Sequence, residues 1–81
     1  MRIDKFLKVS RILKRRTLAQ QVTKGGRVKV NGRTVKPSFQ VKEGDIVELG
    51  FNSGAVLFKI NFIKETVKKE EADNMYEIIE E

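Results

Sequence analysis

The chain has 81 residues, with no cysteine, no histidine, no tryptophan and one proline. That removes disulfides, thiolate and imidazole metal ligands, and histidine-dependent catalytic triads, and it suits a reducing compartment. Seventeen Lys/Arg against eleven Asp/Glu give a net charge of +6 and a pI near 9.8, which points to a binding module for something anionic rather than an enzyme.

One domain is expected at this length, on the usual scale of ~100–200 residues each. The longest apolar run, Ala55–Phe58, is far below the ~18 residues of a membrane span. Arg2, Asp4, Lys5 and Lys8 interrupt any leader-like stretch. A cytoplasmic chain with no membrane contact, monomeric when free, is the expectation.

In chain order, Ile3, Phe6, Leu7, Ser10 and Leu13 keep the spacing of one helical face, an arc of about 120°. Lys5 and Lys8 point away from it and Arg11 lies at its margin. A helix over roughly residues 2–10 would be apolar beneath and basic above. Arg11–Arg16 follows as a basic connector, R-I-L-K-R-R. Thr17-Leu18-Ala19-Gln20 reads as a capping box that opens a second helix, with Leu18, Ala19 and Val22 on its buried side. Gly25-Gly26 would end it. Lys14, Arg15 and Arg16 would then stand before a helix N-terminus, where free N–H groups add to their pull on phosphate.

Val28-Lys29-Val30 and Arg33-Thr34-Val35 flank Asn31-Gly32, a strong hairpin signal. Glu43-Gly44-Asp45 is a further turn. Val47, Leu49 and Phe51 alternate with Glu48 and Gly50 as a half-buried strand. After Asn52-Ser53-Gly54, Val56, Phe58, Ile60 and Phe62 alternate through a long strand. The aromatics of this half, Phe39, Phe51, Phe58 and Phe62, read first as core rather than as base-stacking groups. From Thr66 onward, Ala72, Met75, Tyr76 and Ile79 form a helical stripe. This predicts a short C-terminal helix, packed on the sheet or docking a protein partner. Residues 1–65 and 66–81 are taken as domain and tail.

Charge is unevenly spread. Residues 1–50 hold thirteen Lys/Arg and four Asp/Glu, net +9, and residues 51–81 hold four Lys and seven acids, net −3. Residues 1–36 hold twelve basic residues, six of them arginine, and one acid, Asp4. Arginine forks onto phosphate and stacks on bases better than lysine does. A solvated lysine-rich surface, or an adaptor for an acidic protein, is the blander alternative to nucleic-acid binding. For an enzyme, Asp4, Asp45 and Ser10 are the few candidate groups, and no base or metal-ligand cluster surrounds them in the sequence.

R-I-D-K-F-L at 2–7, R-R-T-L-A at 15–19, G-G-R-V-K-V-N-G-R at 25–33 and V-K-E-G-D-I-V at 41–47 together resemble the small RNA-binding domain named after ribosomal protein S-four. The resemblance covers about residues 1–50. It implies an α+β fold, two N-terminal helices packed on a small bent, mostly antiparallel sheet (the alpha-L RNA-binding motif), whose basic faces grip structured RNA. The stand-alone members, the heat-shock protein fifteen group and, closer still, the RqcP group of Gram-positive bacteria, resemble it more; M-R-I-D-K-F-L-K-V-S-R-I-L-K-R-R-T-L-A and the late K-K-E-E-A-D-N-M-Y are similar to the RqcP group over nearly the whole length.

That resemblance implies a non-catalytic, ribosome-associated quality-control factor. Its expected partners are large-subunit rRNA, peptidyl-tRNA and an RqcH-like factor that adds polyalanine tails. A heat-shock-type rescue or rRNA assembly role is the alternative. The expected RNA-contacting residues are Arg2, Asp4, Lys5, Lys8, Arg11, Lys14, Arg15 and Arg16, with Lys29 and Arg33 on a basic side of the hairpin as secondary contacts. No cofactor or metal is expected. For Asp4, a helix-N-terminal acid able to pair with Lys8 and a family-type acid that orients a neighbouring arginine are compatible readings.

Overall fold

The computed structural model describes residues 1–13, 22, 24–51 and 54–79. Its elements are helix α1 (Ile3–Val9), strands β1 (Val28–Val30), β2 (Arg33–Thr34), β3 (Ile46–Phe51) and β4 (Gly54–Ile60), a short helix α2 (Lys69–Ala72), a 3-10 turn (Asp73–Met75) and strand β5 (Tyr76–Ile79). The strands form one antiparallel sheet in the order β2-β1-β3-β4-β5. The fold is thus α+β.

Helix α1 forms where its apolar spacing predicts. Ile3, Phe6 and Leu7 are fully buried, as is Ser10 at the C-cap, and Leu13 is nearly so. They meet one sheet face. The register sets Val28 beside Leu49, and Val30 beside Val47, which in turn pairs with Phe58. All five join Ile60, Val41 and Met75 in the core. The Phe6 ring stacks on Phe58 with centroids 6.3 Å apart, and Tyr76 meets Phe58 edge-on at 5.6 Å.

The free N–H groups that begin any helix find partners here in a loop. Ile3 N–H donates to the Phe39 carbonyl (2.8 Å) and Asp4 N–H to the Pro37 carbonyl (3.3 Å). The Val41 N–H donates to the Met1 carbonyl (2.9 Å), and Arg2 bridges to Gln40. Segment 37–41 therefore fixes where α1 starts.

The Asn-Gly hairpin forms as expected, with Asn31 at φ 52° and Gly32 at φ 85°, the left-handed pair of a two-residue turn. Asn31 is also latched to the next turn. Its Oδ1 accepts from Ile46 N–H (3.0 Å), and its Nδ2 donates to the buried Asp45 carboxylate (3.1 Å), which also accepts from Lys42 N–H (2.9 Å).

The expected second helix, capped at Thr17, falls largely outside the described residues. Its end is visible: Val22 and Lys24 are helical, Gly26 sits at φ 75°, and Arg27 N–H donates to the Val22 carbonyl (3.2 Å). That six-to-one bond over a left-handed glycine is a Schellman end.

The C-terminal stripe is a correction. A helix exists but stops at Ala72, and Tyr76–Ile79 is a strand paired with β4. The unpaired backbone edge of β4 offers a full row of hydrogen bonds, which outweighs a four-residue helical periodicity. Ala72 and Met75 are fully buried, as the stripe predicts. Strand β4 ends at Ile60, so the expected alternation does not carry Phe62 into the sheet.

Candidate nucleic-acid interface

Among the described residues, the N-terminus of α1 carries the most organised charge. Asp4 is fully buried, yet its carboxylate is gripped by a guanidinium at the surface: Arg2 Nε donates to Oδ1 (3.2 Å) and Nη2 to Oδ2 (3.1 Å). Arg2 keeps 40% of its side chain exposed. The Lys5 N–H also donates to Asp4 Oδ1 (2.7 Å). A two-point fork of this kind fixes the guanidinium plane. Arg2 still has donors to spare for a ligand, since a guanidinium carries five N–H groups. Both sequence readings of Asp4 have a counterpart: it is the acid of the first turn of α1, and it orients a guanidinium, with Arg2 as the arginine.

Lys5 behaves differently. Its Nζ is tied to Glu65, and that hydrogen bond and charge hold the Glu65 carboxyl below the usual carboxylate range. Lys8 and Arg11 are exposed and line one cleft with Glu65, Thr66 and Lys69. Arg11 lies at φ 64°. It occupies the left-handed position just past the helix, with its N–H donating to the Lys8 carbonyl (3.0 Å). Glycine is the usual occupant of such a position.

Lys14, Arg15 and Arg16 lie outside the described residues. Lys29 and Arg33 do not share a basic side of the hairpin. Val30 pairs with Arg33 and Lys29 with Thr34, and directly paired residues project to the same face. Arg33 therefore shares the face of buried Val30, and Lys29 projects from the other. On its second flank Lys29 stands opposite Glu48, which offsets its charge.

The sequence reading also missed two lysines. Lys24 and Lys36 line one groove with Arg2, Thr34 and Ser38. Both were counted in the basic block, but nothing in their local spacing marks them as neighbours of Arg2.

The other buried polar groups are structural. Asp45 anchors two turns, and Ser10 Oγ donates to the Leu7 carbonyl (3.4 Å). Among the described residues, no group of three or more His, Cys, Asp or Glu side chains could hold a metal ion, and no helix is long and apolar enough to cross a membrane.

Comparison with known proteins agrees with this geometry. The model of the S4 domain matches residues 1–47. The RQC P-site tRNA stabilizing factor of Bacillus subtilis is 52% identical over all 81 residues, which span 94% of that protein. The factor of the same name from Streptococcus pneumoniae is also 52% identical over the whole chain, covering 92% of its own length. Among solved structures, trimeric heat shock protein 15 of Vibrio cholerae superposes with a TM-score of 0.88 at 31% identity, over 98% of this chain and 81% of that one. The solution structure of the hypothetical protein HP1423 gives 0.85 at 32% identity, covering 100% and 99%. The chain belongs to the S4 domain family and, within it, to the group of RQC P-site tRNA stabilizing factors.

Proposed function

We propose that this protein is a non-catalytic RNA-binding factor of ribosome-associated quality control. It sits on the large ribosomal subunit, contacts rRNA and peptidyl-tRNA, and steadies the tRNA while an RqcH-like factor extends the stalled chain with alanine. The observation that carries the reading is the Arg2–Asp4 fork at the start of α1, set in an S4 domain whose full-length relatives bear the name of P-site tRNA stabilizing factors.

The physical means are ordinary. A backbone phosphate needs a donor held at a fixed angle and a field that attracts it. The buried Asp4 supplies the first by immobilising Arg2. The excess of cations over residues 1–36 supplies the second. Contacts to phosphate carry no sequence information, so what is recognised is RNA shape. Lys8 and Arg11 extend the face along α1, and Lys14, Arg15 and Arg16, outside the described residues, add three more cations next in sequence. Residues 1–65 carry the RNA face, and beyond them strand β5 pairs with the edge of β4. The factor works in the cytoplasm, on the ribosome.

Co-sedimentation with large subunits that hold peptidyl-tRNA tests this, with the fold of each variant checked by circular dichroism. Arg16→Ala should lose a charge-assisted contact worth ~1.5–3 kcal/mol, roughly ten- to a hundredfold in binding. Arg27→Ala, exposed at the foot of β1, should cost a few-fold, as a screened surface charge does. Equal, small losses for both would reduce binding to diffuse attraction and overturn a shaped site.

A further inference from the structure

Among the aromatic side chains the structure describes, Phe39 is the most exposed, at 40%. It takes no part in the hydrophobic core. A single exposed apolar residue is common and by itself means little. Its setting is what distinguishes it.

The backbone of Phe39 is pinned from both sides. Its N–H donates to the Lys36 carbonyl (3.0 Å), closing a turn with Pro37 in second place, and its carbonyl accepts from Ile3 N–H (2.8 Å). Pro37 in turn accepts from Asp4 N–H (3.3 Å). The ring is thus presented from the same hydrogen-bonded seam that sets the Arg2–Asp4 fork. A ring on a fixed backbone has only two side-chain torsions to immobilise, so little freedom is lost when a ligand lands on it.

Phe39 lines a groove with Arg33, Thr34, Lys36 and Ser38. Neither cation has an ion-pair partner among the described residues, and no carboxylate lines the groove. The groove of Arg2 and Lys24 shares Thr34, Lys36 and Ser38 with it, so the two are continuous. A flat aromatic face flanked by two free cations and two hydroxyls fits a nucleotide: the base on the ring, the phosphate on the cations. A protein partner fits less well, because protein interfaces are centred on a cluster of buried apolar anchors, and among the described residues that line this groove the one exposed large apolar side chain is the Phe39 ring.

We infer that Phe39, with Arg33 and Lys36, is a stacking site for one unpaired nucleotide of the bound RNA, adjoining the Arg2–Asp4 face. The inference rests on the RNA-binding reading above. It adds a contact that recognises unpaired bases to a face that otherwise reads phosphate and shape.

The chain has no tryptophan, so Phe39→Trp introduces a single fluorophore at the site. An unmodified tRNA transcript, which has unpaired loops, should quench that fluorescence at saturation, and a blunt fully paired RNA duplex should not. In parallel, Phe39→Ala should weaken binding of the transcript roughly five- to a hundredfold, the usual span for one stacked base. Phe39→Tyr should restore it. Phe39→Leu, which keeps apolar bulk without the π face, should bind as poorly as Phe39→Ala.

Wild-type affinity in Phe39→Leu, or equal quenching by the duplex, overturns the inference. So does fluorescence that answers to large-subunit proteins stripped of RNA and not to the transcript, which would assign the ring to a protein partner. If Arg2→Ala loses binding while Phe39→Ala does not, the RNA reading stands and the stacking site falls. If the wild-type chain binds neither RNA, both fall.

Discussion

Two carboxylates from opposite halves of the chain each hold a cation at the start of the same helix, with opposite consequences. Asp4, in the basic half, lies fully buried beneath the surface and grips Arg2 from below, leaving that guanidinium fixed and partly exposed. Glu65, in the acidic half, is exposed and takes the end of Lys5 from the solvent side. On the proposed RNA-binding reading, the first acid organises a ligand contact and the second occupies one. An acid in a basic face therefore cannot be scored by its charge alone. What matters is whether it approaches the cation from the core or from where the ligand would sit.

The division between the halves predicts different outcomes for their variants. The largest effect should come from the C-terminal half. Met75 is fully buried in the core, next to the strand that closes the sheet. Met75→Ala should destabilise the protein by about 2–5 kcal/mol, the usual cost of truncating a buried methionine. A denaturant titration reads this, and the RNA affinity of the folded fraction should be unchanged. A folded Met75→Ala protein that no longer binds would move recognition into the tail.

Arg11 should show a smaller effect of mixed sign. A non-glycine residue in the left-handed region costs roughly 1–2 kcal/mol, and Arg11 accepts that cost with its side chain exposed. Arg11→Gly should raise stability by up to about 1 kcal/mol once the greater freedom of glycine in the unfolded chain is subtracted. It should also weaken RNA binding a few-fold. Higher stability with unaltered binding would make the strained arginine a feature of the turn alone.

The smallest expected effect concerns Glu65. Glu65→Gln releases Lys5, so RNA should bind a few-fold more tightly and the salt slope should steepen by roughly 0.7–0.9. The wild-type pair has a defined pH dependence. The Glu65 carboxyl is held down by Lys5, so its small contribution to stability is present above its ordinary value of 4.5 and is lost as pH falls through the lower folded value. The stability curves of wild type and Glu65→Gln should therefore converge in acid. Curves that stay parallel down to that range would mean the pair adds nothing.

Much of this was legible in the sequence, for identifiable reasons. Helix α1 announced itself through Ile3, Phe6, Leu7 and Ser10. The hairpin did so through Asn31-Gly32, because each signal is local and each matches the tertiary arrangement. The opposite faces of Lys29 and Arg33 were there to be read as well, although the sequence reading set both on one basic side. A two-residue turn makes residues 30 and 33 partners, and that register fixes which side chains share a face. Strand β5 was not legible. Ala72, Met75, Tyr76 and Ile79 fit a helical period, and only the waiting edge of β4 makes the last four residues a strand. The Lys5–Glu65 tie, across sixty residues, has no local signature. Nor does the groove that brings Lys24 and Lys36 to Arg2, or the exposure of Phe39. Those depend on how the 37–41 segment meets α1.

The central claim is that the buried acid improves RNA binding by orienting Arg2, and one substitution tests its sign. Asp4→Asn keeps the shape of the side chain, removes a negative charge and raises the net charge from +6 by one. Measured as large-subunit co-sedimentation at fixed salt, on protein shown to be folded, binding should fall by roughly tenfold or more, since the charge-assisted fork is lost. Binding that stays the same or rises, as net charge alone would dictate, would contradict the account.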